Sequence, residues 1–452
     1  MEKITARTLG NEGQGIGNLS SGKVFFAEGL LPGEEAMAEV VSDKKKIMVA
    51  KVSSRLSDSP QRIIPPCENY GACGGCDIMH MNSDLELQFK QNKVREALQR
   101  IGGLDIEVND IVDSPRRLNY RNHMQYVISG MDIGLRSNKS NDFACCDGCM
   151  IEYEAFSRIR RVIKNCLEQH PTTLFSSLIL RGSERTREYI VEFVTESSQS
   201  HEILIRDAQK YVESMSVFDR INEAIDGELT GIVLQMCGDK TARRTRSGKR
   251  VVLCGTDYFH EVLSGKKFRV RAGAFFQVNT EGAEKLYAPV REFVKDAKVL
   301  YDLFCGTGSI GLCCASSDTR LFGIEVSSEA VSSAKTNAEL NGIENADFVV
   351  KQAERFDFDG GDLPKPDSVI VDPPRKGMDI ALIAKLKKLA PQKIAYVSCD
   401  PATLARDLKF LATDYEILSV IPVNMFPFSH HVETCCLLKR KLNTDRQISM
   451  SK

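Results

Sequence analysis

The chain has 452 residues, of which 42% are hydrophobic, so it is long enough for two or three domains that each bury a core. Its formal net charge is -1 at pH 7, which excludes a protein that attracts polyanions over its whole surface. There is no run of about eighteen apolar residues, and the N-terminus lacks the pattern of a signal peptide, so we expect a cytoplasmic protein.

The first part of the chain, to about residue 55, has the spacing of short β-strands separated by glycine turns. Turn-rich sequence at residues 13–17 precedes expected strands at 23–27, 35–41 and 47–52. This spacing favours a small closed barrel of the OB type. The alternative is a β-rich domain with only a structural role.

Two groups of cysteines follow an expected linker at residues 57–60. The first group lies in or beside a glycine-rich loop and consists of Cys67, Cys73 and Cys76. The second group lies far downstream and consists of Cys145, Cys146 and Cys149. Without a secretory signal, these residues indicate thiols, metal ligands or catalytic groups rather than disulfides. Four thiolates suit zinc or an iron–sulfur cluster, and the spacing of the first three differs from that of a zinc-finger pair.

Regular secondary structure is predicted mainly in the last third of the chain. Before it, an amphipathic helix is expected at residues 84–101, whereas residues 120–270 mix strands and helices in an order that the pattern does not reveal. Strands are expected at residues 298–304, 321–326, 347–350, 368–371 and 393–397. Helices between them, such as residues 328–341, predict a parallel sheet covered on both faces. The last apolar runs, 417–423 and 434–438, predict an antiparallel hairpin at its edge.

A glycine loop at residues 302–311, DLFCGTGSIG, lies between an expected strand and a helix of small residues. Glycines let the backbone approach a ligand closely, and ligands of such sheets bind at the C-terminal ends of the strands. Glu325 ends the next strand, where a carboxylate can accept both ribose hydroxyls of a nucleoside cofactor. The loop alone fits NAD or S-adenosylmethionine, or a purely structural turn, and a second motif later in the sheet favours S-adenosylmethionine.

That second motif is VIVDPPRKG at residues 369–377, in which Asp372 ends a strand before a rigid two-proline turn. Such a turn can hold a carboxylate and nearby carbonyl groups against a planar base. The next strand ends at Cys399 in the sequence VSCDP, directly before an expected helix. The dipole of that helix favours a thiolate there. The alternative is an unreactive buried cysteine.

A third motif, MFPFSHHVET at residues 425–434, lies before the last strand. It places Glu433 close to two histidines, a combination that suits proton transfer. Basic residues that are candidates for RNA contacts form four groups, although each group alone is more typical of a solvated surface than of an RNA contact. These groups are residues 44–46, Arg116 and Arg117 with Arg121, Arg243 and Arg244 with Arg246, and residues 266–271.

The glycine loop and the three motifs that follow it, in this order, resemble the RNA uracil-5-methyltransferases. The resemblance implies that Cys399 is the nucleophile and that Glu433 is the base. It also implies S-adenosylmethionine as cofactor, contacted by Gln277, Phe304, Glu325 and Asp372. The acidic residue that this family has after its third strand is matched only loosely, by Glu354 in KQAE.

The resemblance extends to the N-terminal half. The expected barrel is similar to the RNA-binding TRAM domain, and the cysteine spacing resembles the iron–sulfur branch that methylates large-subunit ribosomal RNA. This implies a [4Fe-4S] cluster and 23S ribosomal RNA as the partner, without a membrane or an obligate protein partner. The implied cluster ligands are Cys67, Cys73, Cys76 and Cys149, with Cys145 and Cys146 as alternatives for the fourth.

The fold class that we predict is α/β with three domains. These are a TRAM domain of the OB type at 1–56, a central mixed α+β iron–sulfur and RNA-binding domain at 57–270, and a Rossmann-like class I methyltransferase domain at 271–452. Three alternatives differ in function: the same chemistry on a tRNA uridine, an iron–sulfur RNA-binding protein without catalysis, and an amino-methyltransferase acting on adenine. The last needs no cysteine nucleophile.

Overall fold

The computed structural model describes residues 1–137, 140, 142–145, 148–237, 248–358, 360 and 363–442. Over these residues the chain forms two seven-stranded sheets, one six-stranded sheet and a separate two-stranded hairpin. Within the same residues, no helix has the length and apolar character needed to cross a membrane. Cys146 and the basic residues at 243–246 lie outside the described residues.

The N-terminal sheet contains β1 to β6 in the order β1-β5-β6-β4-β3-β2. These strands are Glu2–Thr5, Thr8–Leu9, Gly15–Asn18, Val24–Ala27, Glu35–Asp43 and Ile47–Arg55. A Cβ atom added at Gly17 would lie 2.3 Å from the carbonyl oxygen of Thr5, so β1 and β3 approach so closely that only glycine fits. The sheet therefore curls as a small barrel requires. Part of the turn-rich sequence at 13–17 belongs to β3.

The central sheet has the order β13-β12-β11-β10-β7-β8-β9. Its strands β7 to β13 are His123–Ser129, Asp132–Arg136, Phe143–Cys145, Ser177–Ser183, Glu188–Glu196, Glu228–Cys237 and Lys249–Gly255. Its helices α2 to α4 are Glu154–Gln169, His201–Ser214 and Val217–Ala224. Only β11 and β12 pair in parallel, because α3 and α4 connect them as a crossover. The separate hairpin consists of β14 (Tyr258–Leu263) and β15 (Lys266–Arg271).

The C-terminal sheet has the order β18-β17-β16-β19-β20-β22-β21. Its strands β16 to β22 are Val299–Leu303, Arg320–Glu325, Ala346–Val350, Ser368–Val371, Lys393–Ser398, Tyr415–Val423 and Glu433–Arg440. Its helices α5 to α9 are Thr280–Val294, Ser309–Cys314, Ser328–Leu340, Ile380–Leu389 and Pro401–Leu411. The predicted parallel sheet and antiparallel edge hairpin are confirmed. The chain changes direction across the sheet between β16 and β19, which is where ligands bind in open α/β sheets.

The segment after the first cysteine group packs on the C-terminal sheet. Helix α1 (Ser83–Ala97) continues as a short π-helix, Leu98–Gly102, and together they bury Val94 and Leu98 in one core with residues of α9 and β21. The backbone N–H groups of Asn109 and Val112 then donate to carbonyl groups of β21, at 2.9 Å each. This segment therefore covers the sheet edge that the C-terminal hairpin would otherwise leave open.

Candidate active site

A cleft of about 1760 Å³ opens at the C-terminal ends of the strands of the C-terminal sheet and extends to the cysteine-rich loop. All ten site residues that the sequence predicts line this cleft. These residues are Cys67, Cys73, Cys76, Cys149, Gln277, Phe304, Glu325, Asp372, Cys399 and Glu433. Glu354 does not line it and lies on a short 3-10 helix after β18.

The glycine loop after β16 has a backbone shape that few residues tolerate. Phe304, Gly306 and Gly308 all have positive φ angles, of 65°, 54° and 80°. Phe304 is a bulky residue in this conformation, which is strained and is most often found at functional sites. The carboxylate of Glu325 accepts hydrogen bonds from the N–H of Gly306 at 3.2 Å and of Ser327 at 2.9 Å. Glu325 is thus held at the loop by two neighbouring turns.

Asp302 supports the loop from below and was not among the site residues predicted from the sequence. Its buried carboxylate accepts a hydrogen bond from the N–H of Gly311 at 2.9 Å, and a Cβ atom at Gly311 would lie 2.7 Å from the same oxygen. Burial, with smaller contributions from the nearby carboxyl groups of Asp372 and Glu325, raises the pKa of Asp302 to about 8. The sequence signal that could have identified Asp302 is its position near the end of β16, just before the glycines of the loop.

Gln277 connects the central sheet to the C-terminal sheet. Its backbone carbonyl accepts a hydrogen bond from the side-chain amide of Asn122 at 2.9 Å. Its side chain lies near the hydroxyl of the buried Tyr287, and that hydroxyl lies 3.3 Å from the hydroxyl of Ser309 at the start of α6. Gln277 is therefore fixed beside the glycine loop from two sides.

Cys399 and Glu433 are brought together by the pairing of β20 with β22. Ser398 pairs with Thr434 in this antiparallel register, so Cys399 and Glu433 occupy the next opposite positions. Burial, together with the nearby carboxyl groups of Glu433 and Asp372, raises the pKa of the Cys399 thiol to about 12, and Arg375 opposes this rise. The expected thiolate is therefore not favoured without ligands, because burial and two carboxyl groups outweigh the helix N-terminus.

The two carboxyl groups beside Cys399 also titrate abnormally. Burial raises the pKa of Glu433 to about 8, Asp372 contributes in the same direction, and Arg375 opposes it. Burial raises the pKa of Asp372 to about 7. A cationic ligand next to these groups would favour their ionised forms. Arg375, which follows the two prolines, is a charged residue of the site that was not predicted from the motif.

The two histidines of the third motif have different surroundings. Nδ1 of His430 lies 2.7 Å from a carboxylate oxygen of Asp77, directly after the first cysteine group. His431 lines the cleft, and its ring lies 4.1 Å from that of His430. Burial lowers the pKa of His431 to about 4, and the neighbouring His430 contributes in the same direction. His431 is therefore neutral at physiological pH.

The four predicted cluster ligands gather at the far end of the cleft. Burial raises the pKa of the Cys76 thiol, and the thiols of Cys149, Cys73 and Cys67 raise it further, which places all four within electrostatic reach. Cys145 is exposed. Among the described residues, no group of three or more metal-binding side chains is close enough for a single ion. A cubane cluster needs wider spacing, because each thiolate binds a different iron.

The basic groups predicted from the sequence differ in whether their side chains form ion pairs, line the cleft or are exposed. Arg116 forms an ion pair with Glu184 at 2.6 Å, and Arg117 forms one with Asp113 at 3.1 Å. Arg121 and Arg271 line the cleft. Besides Arg375, the cleft contains three basic residues that were not predicted, Arg136, Lys249 and Arg250. Lys44, Lys45 and Lys46 are exposed at the tip of the hairpin between β5 and β6.

Comparison with known proteins agrees with this geometry. Residues 240–441 match the family model described as tRNA (Uracil-5-)-methyltransferase. A protein of Clostridium tetani described as an uncharacterized RNA methyltransferase is 33% identical over 445 residues, which covers 95% of this chain and 94% of that protein. A similarly described protein of Bacillus cereus is 32% identical over 464 residues, covering 97% and 96%.

A solved structure is similar over nearly the whole chain. The tRNA (uracil-54, C5)-methyltransferase of Pyrococcus abyssi, in complex with S-adenosyl-L-homocysteine, superimposes with a TM-score of 0.76 at 26% identity. The match covers 97% of this chain and 100% of that one. The likeness therefore includes the N-terminal and central sheets as well as the sheet that carries Cys399.

Proposed function

The chain belongs to the RNA uracil-5-methyltransferase family and is S-adenosylmethionine-dependent, and we propose that it methylates a uridine of 23S ribosomal RNA through a covalent bond to Cys399. The observation that carries the covalent mechanism is the register of β20 and β22, which sets a thiol and a carboxyl group side by side at the cleft. A nucleophile adjacent to a proton acceptor is the arrangement that this chemistry requires.

The reaction needs help because carbon 5 of uracil is a weak nucleophile. The thiol proton of Cys399 passes to solvent water as Sγ forms a bond to carbon 6, and the electron pair of the 5,6 double bond becomes available at carbon 5. S-adenosylmethionine supplies the methyl group that carbon 5 accepts. Glu433 then removes the proton of carbon 5, and the returning electron pair breaks the Sγ–C6 bond. Because a base within a duplex cannot reach the cleft, the target nucleotide is flipped or looped out.

Each proposed cofactor contact has a structural reason. Glu325, held by the N–H groups of Gly306 and Ser327, is placed to accept ribose hydroxyls beside the glycine loop. Asp372 lies between this loop and Cys399, where its ionised form would attract the positive sulfonium group. Phe304 and Gln277 complete this side of the cleft.

We also propose that the four cysteines hold a [4Fe-4S] cluster. The donor set fits, since four thiols, Cys67, Cys73, Cys76 and Cys149, line one end of the cleft. The apolar residues Met79 and Ile151 pack beside three of them, Cys67, Cys76 and Cys149. A cluster supplies thiolate-bound iron and a crosslink between the loop at 67–76 and the central sheet. The distance in sequence between the third and fourth ligands makes such a crosslink stabilising for the cleft wall.

Two RNA classes compete as the substrate. The cysteine set, which resembles that of the iron–sulfur branch, favours 23S ribosomal RNA. The second candidate is a tRNA uridine, favoured by the likeness over its whole length to the Pyrococcus enzyme, which acts on tRNA. Because that likeness includes the barrel, the barrel alone does not separate the two substrates, and the cysteines are the feature that favours ribosomal RNA.

The experiment that tests this proposal is a comparison of RNA from cells with and without the gene. We expect 5-methyluridine to disappear from one or more positions of 23S ribosomal RNA and to return when the gene is restored. Loss confined to tRNA would replace the proposed substrate with the second candidate. Unchanged 5-methyluridine in both RNA classes would contradict the proposed function.

A further inference from the structure

The loop between β21 and β22, residues 424–432, carries the polypeptide into Glu433 and is held by a distant part of the chain. The backbone N–H groups of Asp77 and Ile78 both donate to the carbonyl of Phe428, at 2.9 and 3.0 Å. The N–H of Phe428 donates to the buried carboxylate of Glu86 on α1, at 3.0 Å. Both backbone groups of this residue are therefore bound by the segment that follows the first cysteine group.

Phe428 itself has an unusual conformation that these bonds stabilise. Its φ angle is 68°, a left-handed value that costs free energy for a bulky residue. The conformation buries its ring in a cluster with Met79 and Tyr120, against which Cys76 and Cys149 pack. The loop is thus anchored in the wall that carries the cysteines.

A buried lysine anchors the start of the same loop. Lys90 of α1 has no exposed surface, and its Nζ donates to Glu86 at 2.8 Å, to the side-chain oxygen of Asn424 at 2.5 Å and to the carbonyl of Phe426 at 2.9 Å. All three hydrogens of the ammonium group are therefore used, and two of the acceptors belong to the loop. Burying a charged lysine is costly unless every hydrogen is bound, so this arrangement strongly restricts the loop.

The end of the loop has two further anchors. Nδ1 of His430 bonds to Asp77 at 2.7 Å, and Nζ of Lys93 donates to the carbonyl of His430 at 3.0 Å. Glu433 is only three residues further along, and as the first residue of β22 it pairs with Val423 on one side. The position of the backbone that leads into Glu433 therefore depends on the loop.

We propose that residues 77–93 form a clamp that fixes the loop at 424–432 and thereby positions Glu433 over carbon 5 of the bound uracil. Asp77 and Lys90 are positioning residues in this view, and His430 is the loop residue that Asp77 holds. The inference rests on the proposed role of Glu433 as the base. It goes beyond that role by assigning the geometry of proton removal to a segment outside the methyltransferase sheet.

The clamp is tested on the step that Glu433 performs. His430→Ala and Asp77→Ala each remove one partner of the His430–Asp77 contact. Because this contact is partly exposed, we expect neither change to prevent folding. We expect both variants to remove the carbon 5 proton up to about 100-fold more slowly, since small displacements of a reacting group have effects of this size. A methylated covalent RNA–protein adduct should then accumulate with ordinary uridine RNA, while S-adenosylmethionine affinity stays unchanged.

Controls separate positioning from a general structural effect. Asp77→Asn keeps an acceptor for Nδ1–H and should retain turnover that Asp77→Ala loses. Asp84→Ala, an exposed change on α1, should behave as wild type. Lys90→Met should accumulate the same adduct if it folds. Wild-type turnover by both His430→Ala and Asp77→Ala, or an equal loss of cofactor affinity and methyl transfer, would overturn the clamp.

The reference variant is Glu433→Gln. If it accumulates adduct while the clamp variants do not, only the inference fails. If Glu433→Gln itself turns over readily, the proposed base is wrong and the clamp falls with it.

Discussion

At the scale of single residues, three carboxyl groups meet at the ends of neighbouring strands. Burial raises the pKa of Asp302 to about 8, of Asp372 to about 7 and of Glu433 to about 8. Without a cationic ligand, the folded protein disfavours their ionised forms, whereas the unfolded chain ionises them at lower pH. A site prepared for a sulfonium group is therefore less stable when it is empty.

The raised pKa values of these carboxyl groups predict that the stability of the protein depends on pH. Because the folded-state pKa of Glu433 is raised above 4.5, its contribution to the free energy of unfolding is fully present below pH 4.5 and is lost as pH rises through about 8. We expect Glu433→Gln to stabilise the cofactor-free protein above pH 8 and to leave its free energy of unfolding nearly unchanged near pH 4.5. The gain is a few kcal/mol at most, since one pKa unit corresponds to about 1.4 kcal/mol. Urea unfolding at a series of pH values measures this. A Gln variant less stable than wild type above pH 8 would contradict it.

The nucleophile gives the second residue-scale prediction. Cys399→Ala should abolish methylation and retain S-adenosylmethionine binding, because only covalent attack on carbon 6 requires the thiol. RNA containing 5-fluorouridine, which has no carbon 5 proton to lose, should trap the wild type as a covalent complex visible on a denaturing gel. Cys254→Ala, a change of a partly buried cysteine outside the cleft, is the matched control and should trap normally. A complex formed by Cys399→Ala would refute the assignment.

The proposed base, Glu433, gives the third prediction. Glu433→Gln should attack the uracil and accept the methyl group, then stall as a methylated adduct with ordinary uridine RNA, because the carbon 5 proton stays in place. His431 is the competing base, as it lines the cleft and is neutral at physiological pH. If His431→Ala stalls and Glu433→Gln turns over, the histidine performs this step.

The sequence predicts which residues line the cleft wherever a motif follows a strand. Glu325 ends a strand of the parallel sheet, and Asp372 and Cys399 each directly follow one, so the sequence places all three on one edge. Their protonation was not predictable in the same way. The helix N-terminus after Cys399 is a local feature, whereas the two carboxyl groups that raise the pKa of its thiol, Glu433 and Asp372, lie at the ends of two other strands.

At the scale of elements, the alternating strands and helices after residue 298 were predicted closely, because each buried parallel strand is a short apolar run between helices. The strand predicted at 368–371 has the same bounds in the structure. The central sheet could not be ordered, because β11 and β12 pair in parallel across a crossover of two helices within a mostly antiparallel sheet. Neither the strand lengths nor the periodicity encodes that pairing.

The cysteine-rich loop supports the fourth prediction. Protein purified without oxygen should be brown and contain about four irons per chain, as expected for a cubane held by four thiolates. Cys149→Ser should lose iron, whereas Cys145→Ser, the matched change at an exposed cysteine, should retain it. Colourless protein with stoichiometric zinc would show the metal assignment to be wrong. Iron loss from Cys145→Ser alone would instead move the fourth ligand to that residue.

At the scale of the whole molecule, two sheets and the cysteine-rich loop face one cleft, and each contributes a different part of the chemistry. The C-terminal sheet supplies Cys399 and Asp372, the central sheet supplies basic residues such as Arg136, and the loop before α1 supplies the cysteines. The N-terminal sheet stands apart from the reacting groups, although its Leu31 packs with apolar residues of the segment that leads into α1. Its exposed lysines at the tip of the β5–β6 hairpin are therefore free to extend the RNA-binding surface beyond the cleft.

The fifth prediction follows from that separation. Replacing Lys44, Lys45 and Lys46 together with alanine should weaken binding of ribosomal RNA and reduce the slope of log K against log salt, by up to about 2 because each phosphate contact on single-stranded RNA contributes about 0.7. Affinity for S-adenosylmethionine should not change, since the hairpin does not line the cleft. Alanine at three exposed lysines of the C-terminal half, Lys295, Lys298 and Lys335, is the matched control for total charge. Equal salt slopes for the two triple variants would mean that the hairpin makes no specific contribution, because only general charge would then attract the RNA to the cleft.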